Sequence, residues 1–353
     1  MLSLVAPSYN NLQHLKNLYA SVCKYAPEIE LIIIDDASED GTWEYLTSLD
    51  NPNLVIERVP QRQGHTILYD KGINMAKHDI VGILHADMMI GPNYVQNMVK
   101  HLTPGVVVSA TRIEPPIHPP GNEKIIMDFG VDFDTWNPEA FERFCLDKQS
   151  EFEGKSTRGV FAPWILYKRD FQAIGGHDPK FAPYGYEDSD IFNRWILKGY
   201  KMVQSRDAFV YHLTCRGHRW NKGVGIDNSD YKDTMESKRK EYLRKWGAWV
   251  QNDEFQHPII PPVYKKSIII KNGNPQLEEA LEPWFNNGTD VEVEIDGNTF
   301  TQQDFQVIAQ LNAIIKDSGE IGDFEIGNIK IKINSLQEYQ NELIHIYNNE
   351  NSI

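Results

Sequence analysis

The chain has 353 residues with 35 Lys+Arg against 50 Asp+Glu, a net charge of −15, which argues against binding a nucleic-acid backbone. No stretch approaches the ~18 consecutive apolar residues of a membrane span, and Met1-Leu2-Ser3-Leu4 lacks the basic start of a secretion signal. Three widely spaced cysteines, Cys23, Cys145 and Cys215, form no CxxC, which fits a reducing, cytoplasmic setting and no zinc cluster.

The first hundred residues alternate strand and helix signals. Residues 2–6 are an apolar strand, and a helix follows from Asn10 with Leu12, Leu15, Leu18, Ala20 and Val22 as its buried stripe. Leu31-Ile32-Ile33-Ile34 is a continuous apolar run ending in Asp35-Asp36, the pattern of a central parallel strand. A helix over 41–49, a strand over 54–59, a helix over 66–77 and a strand over 80–84 continue the alternation. This βαβ pattern predicts an α/β fold, a mainly parallel sheet with helices on both faces. Ligands of such sheets bind beyond the carboxyl ends of the strands. Those ends read Pro7-Ser8-Tyr9-Asn10, Asp35-Asp36-Ala37-Ser38 and His85-Ala86-Asp87.

Residues 111–158, rich in proline and charge, read as a long irregular connection. A strand over 159–167, an acidic segment, a strand over 202–211 ending at His212 and a charged helix over 232–249 would close a first domain, residues 1–256. Pro258, Pro261 and Pro262 mark a linker over 257–266. Residues 267–353 read as a small α+β module. Its strands are expected at 267–271, 291–295 and 324–333, and its helices at 276–285, 302–316 and 336–347. From Lys265 onward 15 Asp+Glu face 6 Lys and no Arg, so the tail carries −9 of the total. Assembly, including oligomer formation, or acceptor positioning is its expected role.

The chemistry concentrates in Tyr184-Gly185-Tyr186-Glu187-Asp188-Ser189-Asp190. Acids in a first helical turn favour the helix dipole, so a well-started helix accounts for part of this pattern. Rings beside carboxylates also suit a sugar, whose C–H face stacks on aromatics while its hydroxyls need acceptors. A carboxylate just past the strand ending in Asp35-Asp36 can accept from a base N–H or a ribose hydroxyl. Ser38 or Asp40 there also stands where a helix would be capped. Asp87 gains weight if paired with a distant nitrogen ligand, and His212, at another apolar strand end, supplies one.

In this order and spacing the chain resembles the family 2 glycosyltransferases of the GT-A fold, over about residues 1–250. The resemblance implies that Pro7 and Tyr9 flank the base of a nucleotide-sugar, with Asp36 on the uridine and Ser38 and Gly64 among the nucleotide contacts. It implies that Asp87 holds Mn²⁺ or Mg²⁺ on the diphosphate and that Glu187-Asp188 supplies the acceptor-side base. The segment from Gly185 to Arg194 is also similar to that of β-1,4-galactosyltransferases, and His212 falls where those proteins keep a metal ligand. Two positions depart from the pattern: His85 stands where the metal motif usually has an acid, and Met88 where a further acid is common.

The implied reaction moves a sugar, with inversion, from a nucleoside-diphosphate donor, UDP, to a hydroxyl of a carbohydrate acceptor. Asp188 would be the base. Glu187 and Asp190 would bind acceptor hydroxyls, and Tyr184 and Tyr186 would stack on the acceptor ring. Arg216, Arg219 and Lys222 would close over the phosphates. A nucleotidyltransferase would carry a Gly-rich, basic loop where Ser8-Tyr9-Asn10-Asn11 stands. A non-catalytic nucleotide-sugar or carbohydrate-binding protein remains the alternative reading.

Overall fold

A computed structural model describes residues 1–217, 219–220, 223–246 and 250–259, and beyond them three strands within 266–335. The chain divides into two compact units, Met1–Met235 with Asn252–Pro258, and Glu236–Gln251 with Ile259–Ile353. The division falls inside a helix.

The first unit begins with β1 (Leu2–Ser8), α1 (Leu12–Tyr25), β2 (Glu30–Asp35), α2 (Thr42–Thr47), β3 (Leu54–Arg58), α3 (His65–Met75) and β4 (Ile80–Ile83). These strands pair in parallel in the order β3-β2-β1-β4. Every residue of β1 and β2 is buried, as expected for strands covered on both faces. Leu15, Leu18 and Val22 bury one stripe of α1, whereas Ala20 faces solvent. The first turn of α1 is capped from a distance: Leu12 N–H donates to Asp40 Oδ2 at 2.9 Å. Asp40 Oδ1 also accepts from Thr42 Oγ1 at 2.6 Å. One carboxylate therefore fixes the starts of two helices beside the strand ends.

The chain continues through β5 (Met88–Ile90), α4 (Tyr94–Val99), β6 (Val106–Glu114), β7 (Lys124–Ile126), α5 (Pro138–Phe152), β8 (Ser156–Thr157) and β9 (Trp164–Tyr167). It then forms α6 (Lys168–Ala173), α7 (Glu187–Leu197), β10 (Lys201–His212) and α8 (Ser229–Trp246). Beyond β4 the sheet becomes mixed, in the order β4-β9-β6-β10-β5, with β9 antiparallel to both its neighbours. The expected irregular stretch over 111–158 is thus corrected: it holds the end of β6, β7 and a 15-residue helix. Asn137 caps α5 by accepting the Ala140 N–H at 3.0 Å, with Pro138 in the first turn. That pairing of cap and proline starts helices. Phe141 and Cys145 of α5 pack with Phe129, Phe209 and Tyr211 against the sheet. The strand expected over 159–167 is confined to its last four residues.

In the second unit, β11 (Lys266–Ile269), β12 (Gly322–Ile326) and β13 (Ile329–Ser335) form an antiparallel sheet in the order β11-β13-β12. The single strand expected over 324–333 is two antiparallel strands, with Ile326 paired to Ile329. The strand expected at 291–295 and the three helices expected beyond residue 270 lie outside the described residues. No helix among the described residues is long and apolar enough to cross a membrane.

Candidate active site

The strand order reverses direction about β1, with β2 on one side and β4 on the other, which opens a crevice at their carboxyl ends. A cleft of about 300 Å³ lies there, bounded by Tyr9, Asp36, Asp87, Tyr184 and Asp188 among others.

On one wall, Asp36 Oδ1 accepts the Gln63 N–H at 2.6 Å and Oδ2 the Gly64 N–H at 2.9 Å. Asp36 thus fixes the loop into α3 while bordering the cleft. Pro7, Tyr9 and Gly64 border it too. Ser38 does not. It is buried, its hydroxyl accepting the Asn10 N–H at 2.9 Å and its own N–H donating to Asp35 at 3.0 Å, so it braces the strand ends. Gly64 has φ +87° and leaves no room for a side chain, since a Cβ would stand 2.2 Å from Pro183 Cα. Gly64→Ala is therefore expected to cost about 1–3 kcal/mol through overpacking in a left-handed conformation. A thermal melt checks this, and an unchanged Tm would mean the Pro183 loop yields freely.

The floor holds three metal-ligating side chains. Ligand atoms of His85, Asp87 and His212 all lie within 4.8 Å of one another, and His212 Nε2 is 3.6 Å from Asp87 Oδ1. His212 Nδ1 faces Glu114 Oε1 at 3.3 Å. Glu114 is buried and held by Arg112 Nη1 at 2.6 Å and Lys124 Nζ at 2.9 Å. A proton on Nδ1 leaves the Nε2 lone pair aimed at Asp87. Burial, with His212 close by, pushes His85 down to about 3, so it is a neutral imidazole with a lone pair to give. Burial opposes ionisation of Asp87, but His212 and His85 outweigh it and lower its pKa below the usual carboxylate range. Two imidazoles and a carboxylate suit a divalent transition metal and leave positions for substrate oxygens. His85, the departure from the sequence pattern, offers an atom that could ligate a metal. Glu114→Gln should weaken Mn²⁺ binding by ~10–100-fold by loosening His212. A Mn²⁺ titration of the folded variant tests it, and unchanged affinity would remove the orienting role.

The start of α7 also borders the cleft. Tyr186, at φ 65°, precedes the helix, and both Tyr184 and Tyr186 border the cleft. Glu187 is buried, with Oε1 2.7 Å from His65 Nε2 and Oε2 accepting the Gly185 N–H. Burial opposes ionisation of Glu187, but His65 more than offsets it and holds the carboxyl down at about 2. Asp188, half-buried at the cleft wall, has no hydrogen-bonding or ionic partner among the described residues. Burial and the neighbouring Glu187 charge push it up to about 7. Two adjacent carboxylates are thus driven apart, one permanently ionised and one poised near neutrality, the division that marks acid–base sites.

Asp190 is corrected from its expected place. It is fully buried, accepts from Arg194 Nε at 2.8 Å and does not border the cleft, so it braces α7. The basic loop is corrected as well. Arg216 is buried, its guanidinium donating to the Val131 carbonyl, and it meets Asp87 through its backbone N–H at 3.3 Å. Arg219 lies away from the cleft lining, paired with Asp227 at 2.8 Å. Lys222 lies outside the described residues. Sequence reasoning did not single out Arg62, His65, Tyr69 or Tyr231, all of which border the cleft.

Residues 3–170 match the family model for glycosyl transferase family 2, and residues 148–216 match that for the N-terminal domain of galactosyltransferase. The two matches overlap and together run from β1 through the acid pair and His212. Residues 3–216 are thus similar to glycosyltransferases, through two family models of that kind. Over 106 residues the chain is 27% identical to chondroitin sulfate synthase 3 of Homo sapiens, covering 30% of this chain and 11% of that protein. Over 107 residues it is 25% identical to a dolichol-phosphate mannosyltransferase of Pyrococcus furiosus, covering 29% of this chain and 30% of that protein. The chain also aligns with the crystal structure of GalNAc-T7 with UDP, GalNAc and Mn²⁺. The TM-score is 0.48 at 16% identity, covering 69% of this chain and 50% of that one.

Proposed function

We propose that the chain transfers a sugar, with inversion, from a nucleoside-diphosphate donor, UDP, to a hydroxyl of a carbohydrate acceptor. The observation that carries this is the poised Asp188 lining the same cleft as a cluster of three side chains able to ligate a metal. Pro7, Tyr9, Asp36 and Gly64 would hold the nucleotide. His85, Asp87 and His212 would hold Mn²⁺ or Mg²⁺, which when bound supplies Lewis-acid stabilisation of the departing diphosphate. Asp188 would take the acceptor proton as the new bond forms. His65 holds Glu187 ionised, and that charge keeps the proton affinity of Asp188 high enough for the task. Tyr184 and Tyr186 give the acceptor a surface to stack on.

Residues 267–353 would serve assembly or acceptor positioning rather than chemistry. Incubating the full chain with a panel of nucleotide-sugars, Mn²⁺ and simple glycoside acceptors tests the reading. Release of free nucleoside diphosphate with one donor is the expected result. Binding without any turnover across the panel would favour the non-catalytic alternative.

A further inference from the structure

We propose that the acceptor carries a sugar carboxylate and that Arg62, at the mouth of the cleft, reads it; this rests on the transferase reading above. The guanidinium carbon of Arg62 lies 4.2 Å from the ring centre of Tyr9 and 6.0 Å from that of Tyr184. A ring face attracts a cation without using its N–H groups, so the donors around the guanidinium edge stay unspent. Arg62 is exposed, and among the described residues it donates no hydrogen bond and enters no ion pair. The other arginine lining the cleft, Arg216, is buried with its guanidinium turned to the Val131 carbonyl. Arg112, Arg194 and Arg219 are each paired with an acid. Arg62 is therefore preorganised for an anion that the protein itself does not provide.

Its neighbours indicate which anion. The rings of Tyr184 and Tyr231 stack with centres 6.3 Å apart and planes 13° apart, and Arg219 lies over Tyr231 at 5.1 Å. A sugar packed beside this pair would bring a charged substituent within reach of Arg62, whose guanidinium lies over Tyr184. A planar carboxylate there matches the guanidinium fork with two parallel hydrogen bonds. The donor's diphosphate is already served by the metal cluster on the cleft floor, which leaves Arg62 for another charge. A chain of net charge −15 would repel an acidic glycan unless a local cation offset the field.

The test compares 4-nitrophenyl β-glucuronide with 4-nitrophenyl β-glucoside, which differ only in that carboxylate. Both are titrated by ligand-observed NMR into the full chain saturated with UDP and Mn²⁺. The glucuronide should bind ~10-fold more tightly, the scale of a charge-assisted pair. Arg62→Gln should abolish that preference and leave UDP affinity unchanged. Equal affinities in the unmodified protein, no binding of either probe, or a preference that survives Arg62→Gln would overturn the proposal. A loss of UDP affinity in the variant would also overturn it, by placing Arg62 on the nucleobase. Failure of the transferase reading shows separately, as an absence of UDP binding or donor turnover in the unmodified chain.

Discussion

Asp188→Asn should slow glycosyl transfer by ~10²–10⁴-fold, the usual cost of losing a general base. The amide keeps the shape of the side chain but cannot take a proton. Asp188 makes no hydrogen bond to Asp36 or to the metal cluster, so nucleotide affinity should hold and the loss should fall on kcat. The pH profile adds an independent reading. Asp188 is raised to about 7, so the base is present above that value and is lost as pH falls through it. In the unmodified protein kcat/KM should therefore climb between about pH 6 and 8, and in the variant this limb should disappear. A helix-starting role predicts the reverse: a lower Tm and near-normal turnover in the folded fraction. Transfer at the unmodified rate would end the assignment. Glu187 could not simply substitute, because both its oxygens are engaged, by His65 and by the Gly185 N–H.

What the sequence revealed and what it concealed differ by the range of the interactions involved. Asp36, Asp87, Glu187-Asp188 and His212 stand at strand or helix ends, where a local apolar pattern announces its boundary and polar residues at that boundary announce a site. The β1–β4 alternation was legible for the same reason. Long-range pairings were not. His65 meets Glu187 across 122 positions and His212 meets Glu114 across 98, and no local period marks either partner. The fate of Asp190 turned on whether the acid three places after Glu187 faced the cleft or the helix body. Arg194, one turn further on, settles it by forming an i,i+4 pair. Helix α5 was hidden by the prolines around it, although Asn137-Pro138 held the starting signal. In the basic loop, positive charge near phosphate-binding elements invited a phosphate role. The structure instead commits Arg216 to Val131 and Arg219 to Asp227, leaving the exposed Arg62 to face the cleft.

Chelation should be the second large effect. Excess EDTA is expected to reduce transfer by roughly 10²–10³-fold, since Lewis-acid stabilisation of a leaving diphosphate is worth several kcal/mol, and added Mn²⁺ should restore it. The three ligating side chains need not contribute equally, and the geometry ranks them. Asp87 brings the only negative charge in the set and accepts the Arg216 N–H. Asp87→Ala removes charge and anchor together and should abolish Mn²⁺ binding. His212 is aligned from behind by Glu114, itself locked by Arg112 and Lys124, so His212→Ala should cost nearly as much. His85 has no such hydrogen-bonded support among the described residues, meeting His65, Tyr69 and His212 ring to ring. His85→Ala should therefore weaken Mn²⁺ affinity without eliminating metal-dependent turnover, whereas His85→Asp, which introduces the acid usual at this position, should tighten Mg²⁺ binding relative to Mn²⁺, because a carboxylate suits the harder cation. Metal titrations of the four variants, followed by transfer rates at saturating metal, separate these outcomes. Full activity of the unmodified chain in excess EDTA would remove the metal from the mechanism and leave the leaving diphosphate to be stabilised by the protein alone.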